Sequence, residues 1–167
     1  DDVAVAGGRI LSWNKEKWLP RCIGYEREYR FLNFPTFIDR IQTTNSIMKK
    51  KVLKEIGFFN EQLPVGYDGD VCYRIRKRGY KIVYEPEAVV YHFHRPTLRS
   101  YFKQQFSYGK NTVHLILEWS DIVKGDTLNP KSMILQPVLF YLMVFTGLLS
   151  LFLYFILGFA TLTVFIV

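Results

Sequence analysis

Charge is missing from the last part of the chain: no Asp, Glu, Lys or Arg occurs between Met133 and Val167. All 22 Lys and Arg and all 15 Asp and Glu come earlier, so the formal net charge of +7 belongs to the preceding polar segment. As a helix, the apolar run would extend roughly 50 Å, against a hydrocarbon core of about 30 Å. It therefore predicts one membrane span and the start of a second, with the polar segment at a membrane surface.

Cysteine is scarce, and several common catalytic motifs are absent. Cys22 and Cys72 lie far apart and neither belongs to a metal-type pair, which predicts two reduced thiols in a cytosolic domain. The sequence has no glycine-rich nucleotide loop, no zinc-ligand spacing and no Ser-His-Asp order. No stretch of signal-peptide type opens the chain. Lys124 and Lys131 directly precede the apolar run, so the positive-inside tendency predicts that the polar segment faces the cytoplasm.

The polar segment is basic and about 130 residues long, enough for one modest globular domain. A basic surface suits nucleic acid, anionic lipid headgroups or phosphorylated substrates. The attached span favours lipid and phosphate over nucleic acid, and an ordinary solvated basic surface is the alternative. The chain opens on a strand-like run and ends inside an apolar helix, so we expect it to be a piece of a longer protein.

Short apolar runs and glycine stops predict the elements of the polar segment. We expect strands at 3–6, 9–13, 43–48, 80–84 and 88–92, with a bend at Gly7-Gly8 and a break at Pro86, and helices near 23–29, at 50–56 and at 70–78. Gly57 and Gly79 are expected to end the last two helices. Phe58 and Phe59 are expected to pack into the core.

Residues 97–123 have the apolar spacing of an amphipathic helix, beside Arg99, Lys103 and Lys110. A basic amphipathic helix before a membrane span often lies in the plane of the interface. A core helix of the polar domain is the competing interpretation.

The segment Gly66–Tyr80 concentrates the polar groups that are suited to catalysis. Asp68 and Asp70 lie between glycines at the predicted entrance to a helix, where the helix dipole stabilises anions. An ionised carboxylate beside a cleft can accept a proton from a sugar hydroxyl. The alternative is that both aspartates only begin the helix and pair with Arg74.

An ordered series of motifs surrounds these carboxylates. The chain reads Thr44-Asn45, a basic helix at 49–56, Gly-Phe-Phe-Asn-Glu at 57–61, Gly-Tyr-Asp-Gly-Asp-Val-Cys-Tyr-Arg at 66–74, Gly-Tyr-Lys-Ile at 79–82 and a stretch from Pro86 to His92. This order resembles the C-terminal half of the catalytic domain of membrane-bound members of glycosyltransferase family 2. The resemblance covers about residues 1–110. It implies an α/β fold: a partial GT-A (nucleotide-diphospho-sugar transferase) domain at 1–96, an amphipathic helical region and linker at 97–131, and transmembrane helices at 132–167.

The resemblance also implies roles for single residues. Asp68 falls on the family's expected general base, while Tyr67 replaces the glutamate that precedes it. The implied ligand contacts are Asn45, Tyr67, Asp70, Gln104, Gln105 and Tyr108 for the acceptor, Arg95 and Arg99 for phosphate, and His92 for a divalent cation, Mg²⁺ or Mn²⁺. The stretch Gln104–Tyr108 is a weak form of a Gln-x-x-Arg-Trp signature, because Ser107 replaces the arginine. For His92, a backbone hydrogen bond at the strand end is the alternative.

These roles imply an inverting glycosyltransferase that moves a sugar from a nucleotide-sugar donor to a membrane-associated acceptor, polyprenyl-linked or polysaccharide, at the cytoplasmic face. The resemblance implies that the family's Asp-x-Asp, which holds metal and donor, belongs to the half of the domain that lies upstream of these residues, so the piece alone is expected to be inactive. A non-catalytic, membrane-tethered scaffold is the alternative, favoured by Tyr67 and Ser107. A regulatory domain of a transport protein is a third hypothesis, which nothing between Gly66 and His92 favours.

Overall fold

The computed structural model describes residues 2–129 and 131–166; at 122, 133–134 and 158–166 only the backbone is described. These residues form two compact units that divide between Leu128 and Asn129. The first unit is a mixed α/β domain, and the second consists of one long apolar helix.

The described residues form four strands and five helices. The strands are β1 (Val3–Ser12), β2 (Phe37–Ile38), β3 (Ser46–Met48) and β4 (Lys81–His92). The helices are α1 (Trp18–Leu32), α2 (Lys50–Glu55), α3 (Tyr67–Lys77), α4 (Leu98–Glu118) and α5 (Lys131–Ile166). Two 3₁₀ turns, Thr43–Asn45 and Ser120–Lys124, complete the list. The predicted α/β class is confirmed.

The four strands form one sheet in the order β2-β4-β1-β3. β1 and β4 are parallel and lie in its centre, while β2 and β3 are antiparallel to their neighbours. Central strands covered on both faces are expected to be apolar, and Val5, Ile10 and Ile82 are each 1% exposed. Together with Val71, Cys72 and Ile75 of α3, they form the core of the domain.

Two sequence predictions about the central strands are wrong. β1 runs straight through Gly7 and Gly8 without a bend, because the glycines allow a close backbone approach: a Cβ on Gly8 would lie 1.9 Å from the Ala88 carbonyl oxygen. β4 is one strand, not two. Gly8 of β1 pairs with Glu85 and the next residue, Arg9, pairs with Val89, so Pro86 lies in a bulge of β4 and does not end the strand.

The predicted glycine stops are confirmed, and the predicted start of α3 is not. Gly57 and Gly79 follow α2 and α3 with φ of +79° and +84°, the left-handed conformation that a glycine adopts without strain. α3 begins at Tyr67, after Gly66 with φ +86°, so Asp68 and Asp70 both lie in its first turn and neither side chain caps it.

Helix α4 packs on the domain along one face, while its place at a membrane interface stays a prediction. Its inner face packs on the domain through the buried Asn111 and Leu115. Its outer face carries an apolar stripe that is exposed throughout: Phe102 (64%), Phe106 (78%), Val113 (57%) and Leu117 (78%). The helix is therefore a structural part of the domain that also presents an uncovered apolar surface.

After α4 the chain returns across the domain, and we name residues 119–128 the return segment. Trp119 packs on Tyr73 of α3, with ring centroids 4.8 Å apart. The Thr127 hydroxyl accepts a hydrogen bond from the Asp39 backbone N–H at 2.9 Å, and Arg30 Nη1 donates to the Leu128 carbonyl oxygen at 2.8 Å. The return segment is thus joined to α3 and to the chain on both sides of β2.

Helix α5 is continuous for 36 residues. Within it, Leu135–Leu157 is the one stretch of the described residues long and apolar enough to cross a membrane, with a mean hydropathy of 2.2. The expected start of a second span is not seen, because the helix continues unbroken to Ile166.

Candidate functional site

Asp68 lies in the first turn of α3, half-buried, with 17% of its side chain exposed. Its Oδ1 accepts hydrogen bonds from Arg40 Nη2 at 3.0 Å and from the Gly69 backbone N–H at 2.8 Å. Within the described part of the chain, no hydrogen bond reaches Oδ2. The carboxylate is thus fixed through one oxygen and keeps the other for a ligand, an arrangement compatible with a general base.

Arg40 is the cation that fixes Asp68. It follows β2, and besides Asp68 it faces Asp126 of the return segment, with Nη1 3.6 Å from the Asp126 carboxylate. Burial opposes its charge, but Asp68 and Asp126 outweigh burial and raise the pKa of Arg40 above its usual value. The guanidinium packs on Gly69, where a Cβ would lie 3.1 Å from the Arg40 Cζ. Glycine at this position therefore lets Arg40 lie directly against the first turn of α3.

Asp70 is a packing residue, and its predicted contact with an acceptor is wrong for this structure. Its side chain is 1% exposed, and Oδ2 accepts from Arg74 Nη2 at 2.6 Å and from Arg74 Nε at 3.0 Å. Oδ1 accepts from the Trp119 indole N–H at 3.2 Å. The predicted pairing of Asp70 with Arg74 is confirmed, whereas Asp68 pairs with Arg40 and not with Arg74.

A pocket of about 320 Å³ opens next to Tyr67, the first residue of α3. Its lining residues are Thr43, Phe59, Asn60, Glu61, Leu63 and Tyr67. Tyr67 directly precedes Asp68, and its ring meets Phe59 edge to face with centroids 6.1 Å apart. The prediction that Phe58 and Phe59 pack into the core is wrong, since they are 48% and 37% exposed. The two lining aromatic rings instead offer an apolar surface for a ligand.

Asn45 holds the backbone of the central strands through its amide NH2 group. Its Nδ2 donates to the Arg9 carbonyl oxygen at 2.9 Å and to the Ala88 carbonyl oxygen at 2.8 Å. Both amide hydrogens are therefore used at the β4 bulge. The predicted contact of Asn45 with an acceptor stays a prediction, and these two bonds leave the amide oxygen to make it.

His92 and His94 stand together where β4 ends, with ring centroids 5.1 Å apart. His94 is buried, and burial lowers its pKa to about 4, so it is neutral at physiological pH. Burial followed by the charges of Arg27 and Arg95 also lowers the pKa of His92. The predicted metal contact of His92 is poorly matched, because these arginines repel a cation. The described residues also contain no group of three His, Cys, Asp or Glu side chains able to hold a metal ion.

The remaining predicted contacts lie on or just before α4. Arg95, Arg99 and Gln105 are exposed, and Gln104 is half-buried on the inner face. Tyr108 is 37% exposed. Neither arginine forms an ion pair with another residue of the described ranges, so both guanidinium groups are open to an anionic ligand. The structure does not bring these side chains into contact with Asp68.

Sequence reasoning missed Arg40 and Asp126. Arg40 stands in Phe-Ile-Asp-Arg-Ile, between Ile38 and Ile41, both of which are buried. A cation flanked by core residues is a signal of a buried ion pair. Asp126 gave no comparable signal, because its role depends on the return of the chain after α4.

The comparisons with known proteins identify the family of the chain. The model of the family described as glycosyltransferase-like family 2 matches residues 1–109. Two Mycobacterium tuberculosis proteins named pre-mycofactocin glycosyltransferase, from strains CDC 1551 / Oshkosh and ATCC 25618 / H37Rv, are each 31% identical over 75 residues. That match covers 45% of this chain and 16% of the length of each relative. With a family match over more than half of its length, the chain belongs to the glycosyltransferase-like family 2.

Proposed function

We propose that this chain is part of a glycosyltransferase with a GT-A-like catalytic domain, in which Asp68 is the general base. The observation that carries the proposal is the Asp68 carboxylate, fixed through Oδ1 by Arg40 and Gly69, with Oδ2 unoccupied by the described residues. Family membership and two relatives named as glycosyltransferases support sugar transfer. The whole enzyme's donor and acceptor belong to the proposal, since the chain covers 16% of each relative.

The proposed step is a single displacement at the anomeric carbon. An acceptor hydroxyl attacks that carbon while its proton moves to Asp68, and the bond to the nucleoside diphosphate breaks, with the electron pair leaving on the diphosphate oxygen. A positioned base of this kind typically accelerates a reaction by about 10²–10⁴-fold. Attack opposite the leaving group inverts the configuration of the sugar.

The pocket beside Asp68 is the proposed acceptor site. Phe59 and Tyr67 line it, and aromatic faces suit the apolar side of a sugar ring or of a lipid chain. Tyr67 directly precedes Asp68 in the first turn of α3, which places the pocket next to the proposed base in the sequence.

A membrane-associated acceptor fits the rest of the chain. The exposed stripe of α4 joins apolar side chains to Lys103 and Lys110 on one helix, as in helices that lie at anionic lipid surfaces. The candidate span Leu135–Leu157 follows in the sequence. We propose that the enzyme acts at the cytoplasmic face on a polyprenyl-linked or polysaccharide acceptor, and that Arg95 and Arg99 attract its phosphate.

A divalent cation remains part of the proposal because of the family resemblance. When bound, such an ion would neutralise charge on the leaving diphosphate. His92 beside Arg27 and Arg95 does not fit as its site, so we derive no step through the ion. The positive surroundings of His92 suit the diphosphate itself.

The test replaces the base in the full-length protein, with Asp121→Asn as a matched control on the return segment. Turnover is followed as release of nucleoside diphosphate from a panel of UDP- and GDP-activated hexoses, with cell membranes as the acceptor source. We expect D68N to lose roughly 100-fold or more in turnover while retaining UDP or GDP binding by calorimetry, and D121N to match the wild type. Retained turnover in D68N would refute the assigned base, and a wild-type protein that binds but never turns over would favour the scaffold.

A further inference from the structure

We propose that Asp126, acting through Arg40, is a positioning residue for the Asp68 carboxylate. The inference rests on the proposed role of Asp68 and adds a residue that the family motifs do not include. It assigns to the return segment a task beyond its packing contacts with α3 and with the chain on both sides of β2.

The geometry is a chain of three charged side chains. Arg40 presents Nη2 to Asp68 at 3.0 Å and Nη1 to Asp126 at 3.6 Å. All three side chains are mostly buried, with 16%, 17% and 14% exposed for Arg40, Asp68 and Asp126. A planar guanidinium held on both sides cannot rotate freely, so the position of Asp126 determines the direction in which Arg40 meets Asp68.

Asp126 is itself fixed by its local fold. Its Oδ1 accepts a hydrogen bond from the Leu128 backbone N–H at 2.9 Å, which closes a tight turn. Leu128 is 7% exposed, and its carbonyl oxygen accepts from Arg30. The carboxylate that faces Arg40 is therefore held by a turn that is anchored on α1.

The charge balance gives Asp126 a second effect. Arg40 carries the one positive charge among the three side chains. Asp126 shares that positive charge, which leaves the pair of carboxylates with one cation between them. Among the described residues, Arg40 is the cation that forms an ion pair with Asp68, and the residues of α4 that meet the neighbouring Gly66 are the uncharged Asn111 and Leu115. Cys72 on α3 is buried and uncharged at neutral pH, because burial raises its pKa to about 11.

The decisive experiment compares kcat and the donor KM of the full-length D126N protein with those of the wild type, using the activated hexose that supports wild-type turnover. Without Asp126, Arg40 is no longer held from the side of the return segment. We expect kcat to fall about two- to tenfold, with the KM for the donor unchanged. A merely structural role would lower the amount of folded protein and leave kcat per folded molecule unchanged.

Two variants complete the test. D121N removes the same charge from the same segment, where it faces Lys77 and Lys124, and its kcat should match the wild type. R40Q removes the cation that joins the two carboxylates and should lower kcat at least as much as D126N, which also carries the test if D126N does not fold. A D126N kcat that equals that of D121N, or a wild-type kcat in R40Q, overturns the inference. If D68N is inactive at the same time, the assigned base still stands, whereas an active D68N refutes that assignment separately.

Discussion

The Asp70–Arg74 pair gives the sharpest test of the packing around the site. Arg74 uses its whole guanidinium: it donates twice to Asp70 Oδ2, once to the Ile56 carbonyl oxygen at 2.6 Å and once to the Phe58 carbonyl oxygen at 2.7 Å. Asp70 is 1% exposed and Arg74 20%. Replacing Arg74 by Ala leaves a buried carboxylate with the Trp119 indole as its remaining partner among the described residues.

The expected magnitude follows from that burial. Removing one partner of a buried ion pair costs about 3–5 kcal/mol of unfolding free energy, because the other charge stays buried. Arg78, which directly follows α3, is the matched control. In its ion pair with Glu55, the Arg78 side chain is 54% exposed and the Glu55 side chain 36%. R78A should therefore cost less than about 1 kcal/mol of unfolding free energy. In a domain of about 130 residues, R74A should lower the Tm by about 10–20 °C and R78A by less than about 4 °C.

The assay is thermal unfolding of the full chain in detergent, followed by near-ultraviolet circular dichroism. A double variant, D70N/R74Q, removes both charges and should lose less stability than R74A. If R74A and R78A unfold within a few degrees of each other, the Asp70 carboxylate does not depend on Arg74 and the reasoning is refuted.

Two further outcomes follow from single side chains. G8A should prevent the native fold, because its Cβ would lie 1.9 Å from the Ala88 carbonyl oxygen. The Cβ of G109A in α4 would meet no atom within 4 Å, so this variant should gain about 0.5–1 kcal/mol of unfolding free energy. Thermal unfolding followed by circular dichroism would show both effects. A thiol reagent at pH 8 should label the exposed Cys22 and not Cys72, because burial raises the pKa of Cys72 to about 11. Labelling of Cys72 should begin only as the pH approaches 11 or as the protein unfolds. Rapid labelling of Cys72 at pH 8 would contradict that burial. Since the unfolded thiol ionises first, Cys72 should also make the fold less stable as the pH rises from about 9 towards 11.

Several features of the fold could be predicted because they depend on neighbours in the sequence. Gly57 and Gly79 end helices through a local backbone conformation, and the Asp70–Arg74 pair spans one helical turn. The helix that contains Asp70 and Arg74 was likewise predictable, although it begins at Tyr67, earlier than the sequence predicts.

Other features could not be predicted because they depend on contacts between distant segments. The amide NH2 group of Asn45 binds the carbonyl oxygens of Arg9 and Ala88, which only the folded sheet brings together. Phe59 was assigned to the core by its hydrophobicity, yet it lines a pocket. Asp68 and Asp126, the partners of Arg40, lie 28 and 86 positions further along the chain. No periodic pattern in the sequence reveals such a relation.

The return segment also makes the ionic network depend on residues late in the chain. Translation supplies Arg40 and Asp68 well before Asp126. A nascent chain that has not reached residue 126 therefore lacks the Arg40–Asp126 ion pair, and the three-membered network is complete only when that residue has left the ribosome.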